Sequence, residues 1–138
     1  MSIATFLILI PVTHLLLLTI PLAVTDIRER RLPNKYVLPN LIVASLATIA
    51  TMFFGEWQKA LIALGIALAI LVVGIIINQR GWLGMGDVKL LTAMSMPLSW
   101  FSPLYTLSLI GATFITATLV VIVMFLTKRI RPDTTIPL

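Results

Sequence analysis

The chain has no cysteine, a single histidine and few acidic residues among its 138 positions. The absence of cysteine excludes disulfides, thiolate zinc sites and a cysteine nucleophile. One histidine also excludes a metal site built from several histidines. Acid–base chemistry must therefore come from a short set of carboxyl groups: Asp26, Glu29, Glu56, Asp87 and Asp133.

Charge is scarce and apolar residues are abundant. Charged residues make up 11% of the chain and hydrophobic residues 59%, whereas ordinary soluble domains are about 25% charged. This composition excludes a soluble globular protein, and it excludes disorder, which needs low hydrophobicity. The net charge of +5 does not indicate a nucleic-acid partner, because basic cytoplasmic loops of a membrane protein account for it.

Four charge-free runs predict membrane-spanning helices. The runs cover 3–24, 36–54, 60–77 and 90–127. One span needs roughly 20 residues, so the last run has room for two. A break between them is expected at Pro97, Ser99, Ser102 and Pro103, since proline disfavours helix in the residue before it.

The predicted fold is an all-α, polytopic transmembrane bundle of five helices, over 3–24, 36–54, 59–78, 87–101 and 104–126. A cleaved signal peptide is a weaker interpretation of residues 1–24, which lack a basic n-region and an Ala-x-Ala site. In the third helix, the pairs Ala63–Ala67 and Gly65–Ala69 have the spacing that allows close helix packing.

Basic residues alternate between the predicted loops. Nine of the ten Lys and Arg residues fall in the first loop, the third loop and the tail, and only Lys59 falls in the second loop. This asymmetry predicts an N-terminus outside, with the first loop, the third loop and the tail in the cytoplasm. We therefore expect a membrane domain over 1–127 and a short basic cytoplasmic tail over 128–138.

Asp26 lies at the predicted cytoplasmic end of the first helix. One interpretation is structural, an interfacial acid paired with Arg28 or Arg30. The other is functional, because ionisable groups at membrane depth are expensive and often mark functional sites.

Asp87 follows a glycine-rich segment at the predicted start of the fourth helix. Gly81, Gly84 and Gly86 allow positive φ and the close approach of another backbone. The structural interpretation is that Asp87 caps the helix, where the helix dipole favours its charge.

Together, Asp26 and Asp87 could form a carboxylate pair at the cytoplasmic face. When two such groups share a proton, one has a low pKa and the other a high pKa. One can then act as a base on water while the other polarises a carbonyl. A Ser–His arrangement would need His14, which lies in the middle of the first predicted helix. His14 is better interpreted as a hydrogen-bonded packing residue.

The two aspartate segments resemble known motifs. Asp26-x-Arg28-x-Arg30-x-x-Pro33-Asn34 resembles the first motif of type IV prepilin peptidases. We expect Pro33 and Asn34 to shape the site or contact the substrate.

The second segment, Gly84-x-Gly86-Asp87-x-Lys89-Leu90, resembles the motif that gives the GxGD membrane aspartic proteases their name. The resemblance implies that Asp26 and Asp87 are catalytic, and that Gly84, Gly86 and Lys89 shape the site. It covers residues 1–127 and is closest to the short peptidases of tight-adherence (Flp-type) pili.

The chain departs from the family pattern in two ways. Larger members have a cysteine-bearing domain that methylates the pilin, and without it we expect no methylation. Members usually have six helices, whereas five are predicted here, so two alternatives are open: the chain is truncated, or it needs a partner helix. A homo-oligomer is a further open alternative.

The resemblance implies an aspartic endopeptidase of the bacterial inner membrane that removes the leader of prepilins or pseudopilins at the cytoplasmic face. It implies no metal, no cofactor and no nucleic-acid partner. The alternative is a non-enzymatic membrane subunit or small transporter with structural acids.

Overall fold

A computed structural model describes residues 2–29 and 34–126, with their side chains apart from those of residues 23, 26–29 and 124. Within these ranges the chain forms helices and no strand. The helices are α1 (Ile3–Glu29), α2 (Asn34–Met52), α3 (Trp57–Gln79), α4 (Met85–Phe101) and α5 (Pro103–Leu126). The prediction of an all-α polytopic bundle is confirmed.

Four of these helices, α1, α2, α3 and α5, are long and apolar enough to cross a membrane. The fourth predicted span, α4, has 17 residues, about 26 Å at 1.5 Å per residue, which is slightly less than the roughly 30 Å hydrocarbon core. It is the central helix and contacts each of the other four. Because protein surrounds α4, it can carry the buried hydroxyl side chains of Thr92, Ser95 and Ser99.

The break between the last two helices falls at 102–103, where the predicted helix bounds place it. Of the residues expected to form it, Ser102 has extended backbone (φ −164°, ψ 135°) directly before Pro103, whereas Pro97 lies inside α4. Pro97 is accommodated because neighbouring helices can compensate for a proline within a bundle. The first helix continues past residue 24 to Glu29, since the end of an apolar run marks the bilayer edge and not the end of a helix.

Small residues allow α3 to pack closely against its neighbours. Ala60, Ala63, Ala67 and Gly74 are buried, and Ala67 packs with Ala93 and Met96 of α4. Gly65 and Ala69 are exposed, so the expectation of packing by this second pair is wrong within the described chain. They lie on the opposite face of α3 from the packed alanines, and the sequence pattern alone did not distinguish the two faces.

The end of the bundle remote from Asp87 has its own polar contacts. Lys59 Nζ lies 4.8 Å from the centre of the Trp100 ring and 3.1 Å from Glu56 Oε2. Trp100 packs with Ala4 and Ile8 of α1. These contacts bring the start of α1, the start of α3 and the end of α4 together, so α3 and α4 run antiparallel.

Candidate active site at the start of α4

Asp87 lies in the first turn of α4. Gly84 is the N-cap residue, with φ −67° and ψ 141° and no side-chain cap bond, and the Val88 N–H donates to the Gly84 carbonyl at 3.1 Å. A carboxylate in the first turn is stabilised by the helix dipole. Asp87 is therefore the third residue of the helix and not its N-cap residue.

The Asp87 carboxylate lies over the backbone of Gly84. A Cβ atom added to Gly84 would be only 2.8 Å from Asp87 Oδ2. The carboxylate can therefore occupy this position because Gly84 has no side chain. Positive φ is not the reason for this glycine, because its φ of −67° is open to any residue.

Positive φ occurs in the preceding turn, at Gly81, which has a φ of 75°. Gly86 lies within α4, so of the three glycines that allow positive φ, Gly81 is the one that adopts it. The turn is also held by Asn78 Nδ2, which donates to the Leu83 carbonyl at 2.7 Å. These features connect α3 to α4 within a few residues.

A hydrogen bond joins the two motif segments. Lys89 Nζ donates to Asn34 Oδ1 at 2.9 Å, across 55 positions of sequence. Asn34 is the first residue of α2, and Lys89 follows Asp87 by two positions. The bond thus places the end of the first motif beside the second motif at one end of the bundle.

Asp26 belongs to α1, within a few residues of its end at Glu29. The expectation that it follows the helix is therefore wrong, since α1 continues beyond the apolar run. The side chain of Asp26 lies outside the described residues, as does Pro33. The helices α1 and α4 are in contact, with Ala4 and Ile8 packed beside Trp100 at the end of the bundle remote from Asp87.

His14 forms an interhelical hydrogen bond. Its Nδ1 lies 3.1 Å from Oδ1 of Asn40 in α2, and Asn40 is 1% exposed. The interpretation of His14 as a hydrogen-bonded packing residue is confirmed. It lies 12 positions before Asp26 on the same helix, about 18 Å along the axis.

Among the described side chains, no three His, Cys, Asp or Glu residues are grouped to hold a metal ion. The described acids outside α1 are Glu56, beside Lys59 at the remote end, and Asp87. Within this part of the chain, Asp87 is the acid that lies beside other predicted site residues.

Gly74 was missed by the sequence reasoning. It is buried in α3 against Val88, the residue next to Asp87. It continues the buried Ala60, Ala63 and Ala67 stripe by one further heptad. The seven-residue spacing from Ala67 was the available signal, but the sequence did not show which face of α3 is buried.

Comparison with known proteins identifies a family. The family model described as the type IV leader peptidase family matches residues 13–127. That range includes Asp26, Asn34, Gly84, Asp87 and Lys89. Searches of curated proteins and of solved structures gave no significant match.

Proposed function

Because this chain belongs to the type IV leader peptidase family, we propose that it is an aspartic endopeptidase that uses Asp26 and Asp87. The family membership makes it a peptidase, and its long apolar helices make it a multi-pass membrane protein. The proposed substrates are type IV prepilins or pseudopilins, cleaved at the cytoplasmic face of the bacterial inner membrane. No cofactor is required for this chemistry.

The observation that carries the proposal is the hydrogen bond from Lys89 to Asn34 at 2.9 Å. It joins the segment that begins with Asp26 to the segment that contains Asp87. Two acids distant in sequence can act on one peptide bond only if their segments meet.

The proposed reaction is hydrolysis by a carboxylate pair that holds one proton. The ionised carboxylate takes a proton from water while the water oxygen bonds to the scissile carbonyl carbon, and the protonated carboxyl donates to the carbonyl oxygen. The tetrahedral intermediate then collapses and the C–N bond breaks. The newly protonated carboxyl gives its proton to the leaving amine, and the other carboxylate takes a proton from a hydroxyl of the intermediate, so the pair again holds one proton. Sharing one proton between two neighbouring carboxyls is favourable, because two adjacent negative charges repel.

The bundle supplies an approach for the substrate from the bilayer. Asp87 is exposed at the start of α4, at the end where the first and third predicted cytoplasmic loops meet. A substrate with an apolar helix in the bilayer would therefore present its leader beside this acid. The first-loop arginines and Lys35 contact lipid headgroups in this proposal, because a basic leader would be repelled by them.

A transporter or non-enzymatic subunit has less support. Proton or ion transport generally uses an acid within the membrane span. The described acids Glu56 and Asp87 lie at a turn and in a first helical turn, not in the middle of a helix.

The proposal is tested by coexpressing the full chain with a tagged type IV prepilin and following removal of the leader. Asp26→Asn and Asp87→Asn should each abolish cleavage while the protein still inserts, since an amide keeps the size but cannot act as a base. Glu29→Gln and Asp133→Asn are the matched controls and should cleave normally. Normal cleavage by either aspartate variant, at an unchanged membrane level, would refute the assignment.

A further inference from the structure

The helices α3 and α4 make an unusually close contact beside Asp87. A Cβ atom added to Gly74 would lie 2.5 Å from Cγ1, 3.0 Å from Cγ2 and 3.2 Å from Cβ of Val88. The isopropyl group of Val88 therefore occupies the space where any other residue at position 74 would place its side chain. Val88 is 0% exposed, so this contact is closed to solvent and lipid.

Val88 lies between two residues with different environments. Asp87 is exposed, Val88 is buried against α3, and Lys89 bonds to Asn34 of α2. Successive side chains on a helix point about 100° apart. Holding Val88 against α3 and Lys89 against α2 therefore fixes the rotation of the first turn of α4, and with it the direction of Asp87.

The contact lies in rigid surroundings. Thr92 Oγ1 donates to the Val88 carbonyl at 2.8 Å, one turn further along α4. Thr92 is itself 2% exposed. The segment after Val88 is thus buried in the bundle, and we expect a displacement forced at Gly74 to move the turn that carries Asp87.

We propose that Gly74 is a positioning residue for Asp87, acting through Val88. The inference rests on the proposed function, since it assigns Gly74 a role in the reaction attributed to Asp87. Gly74 touches neither substrate nor reacting atoms in this account. Because Gly74 has no side chain, Val88 packs closely against α3, and this contact sets the direction of the Asp87 carboxylate.

The test is a size exchange across the contact, made in the purified full chain in detergent. Gly74→Ala should lower kcat by tenfold or more with KM changed less than about twofold, because a displacement of about 1 Å can reduce a rate by roughly a hundredfold. Val88→Ala removes both Cγ atoms. The double variant should therefore regain several-fold of the kcat lost in Gly74→Ala, although a contact of 3.2 Å to the Val88 Cβ position remains.

Gly65→Ala is the matched control. It is the same substitution in the same helix, with no atom within 4 Å of the added Cβ, and its kcat should equal that of the wild type. A merely structural role for Gly74 would lower the folded fraction and the melting temperature but leave kcat per folded molecule unchanged. That result, or a double variant no faster than Gly74→Ala, would overturn the inference.

If Gly74→Ala fails to accumulate, Val88→Ala alone carries the test, because it introduces no clash. Its kcat per folded molecule should fall with little change in KM, and an unchanged kcat would overturn the inference. Failure of the proposed function gives a different result. In that case Asp87→Asn would cleave as well as the wild type, whatever Gly74→Ala does.

Discussion

Lys89 and Asn34 are joined by a hydrogen bond of 2.9 Å, and this bond connects the start of α2 to the start of α4. Both residues belong to segments that the sequence had marked for their resemblance to peptidase motifs. The contact places the two motif segments side by side at one end of the bundle. Because the bond is formed by two side chains, substituting Lys89 or Asn34 tests its role directly.

Breaking this bond should impair cleavage more than folding. Asn34→Ala and Lys89→Met each remove one partner, and an exposed polar contact of this kind contributes under about 1 kcal/mol to stability. We expect kcat to fall about tenfold in each variant. If the two residues act through their bond, Asn34→Ala/Lys89→Met will be no slower than the slower single variant.

Independent effects of Asn34→Ala and Lys89→Met would instead multiply, and that outcome would contradict a shared role. Asn34→Asp is the conservative comparison, because a carboxylate still accepts from Lys89 Nζ. It should retain most of the wild-type kcat.

Gly84→Ala should separate activity from stability. The backbone at Gly84 (φ −67°, ψ 141°) accepts alanine without strain, but the new Cβ would lie 2.8 Å from Asp87 Oδ2. The carboxylate must therefore move, and we expect cleavage to fall at least tenfold with the melting temperature nearly unchanged. Full activity in purified Gly84→Ala would show that Asp87 does not need its observed position.

Gly81→Ala, in contrast to Gly84→Ala, should lower the stability of the protein. Gly81 has a φ of 75° with no atom within 4 Å of an added Cβ, so the cost is backbone strain, about 1 kcal/mol. A lower melting temperature in detergent is expected, with Gly81→Asn less affected because asparagine tolerates this conformation. Gly111→Ala, also in open space but within α5, should not lower the melting temperature. Equal stability of Gly81→Ala and wild type would contradict the described turn.

His14 should matter for stability and not for the reaction. Its bond to the buried Asn40 is worth roughly 1 kcal/mol in a membrane bundle. His14→Phe should lower the melting temperature while kcat per folded molecule stays within about twofold of the wild type. Loss of all cleavage in folded His14→Phe would indicate that the reaction depends on His14.

The predicted orientation can be tested cleanly, because the chain has no cysteine of its own. Gln58 and Gln79 are exposed at opposite ends of α3. A membrane-impermeant thiol reagent should label Gln58→Cys in intact cells and Gln79→Cys only after the membrane is opened. The reverse pattern would place the N-terminus on the cytoplasmic side of the membrane and the candidate site on the outer side.

The sequence predicted the helices well because long apolar runs leave few alternatives in a bilayer. The described helices begin and end within two residues of the predicted bounds, apart from the end of α1. That end was wrong because Asp26 to Glu29 continue the helix beyond the apolar run. Pro97 was named among the residues of the break but lies inside α4, because a proline within a bundle is tolerated where neighbouring helices pack around it.

The contacts around Asp87 were harder to predict. They depend on how each helix is rotated, and α3 is apolar on all sides, so no face could be recognised as buried. Gly74 against Val88 and the direction of Lys89 toward Asn34 both follow from that rotation. Motif resemblance indicated which residues form the site, but not which of them touch.

The central claim is that Asp26 and Asp87 act as one pair on a shared water. The most direct measurement is the distance between their carboxyl groups in an experimental structure of the full chain in a bilayer or detergent. We predict that the two groups lie on the same face of the membrane, close enough for one water molecule to bridge them, with some loosening in the absence of substrate. Carboxyl groups on opposite faces of the bilayer, or separated by an intervening helix, would contradict the account.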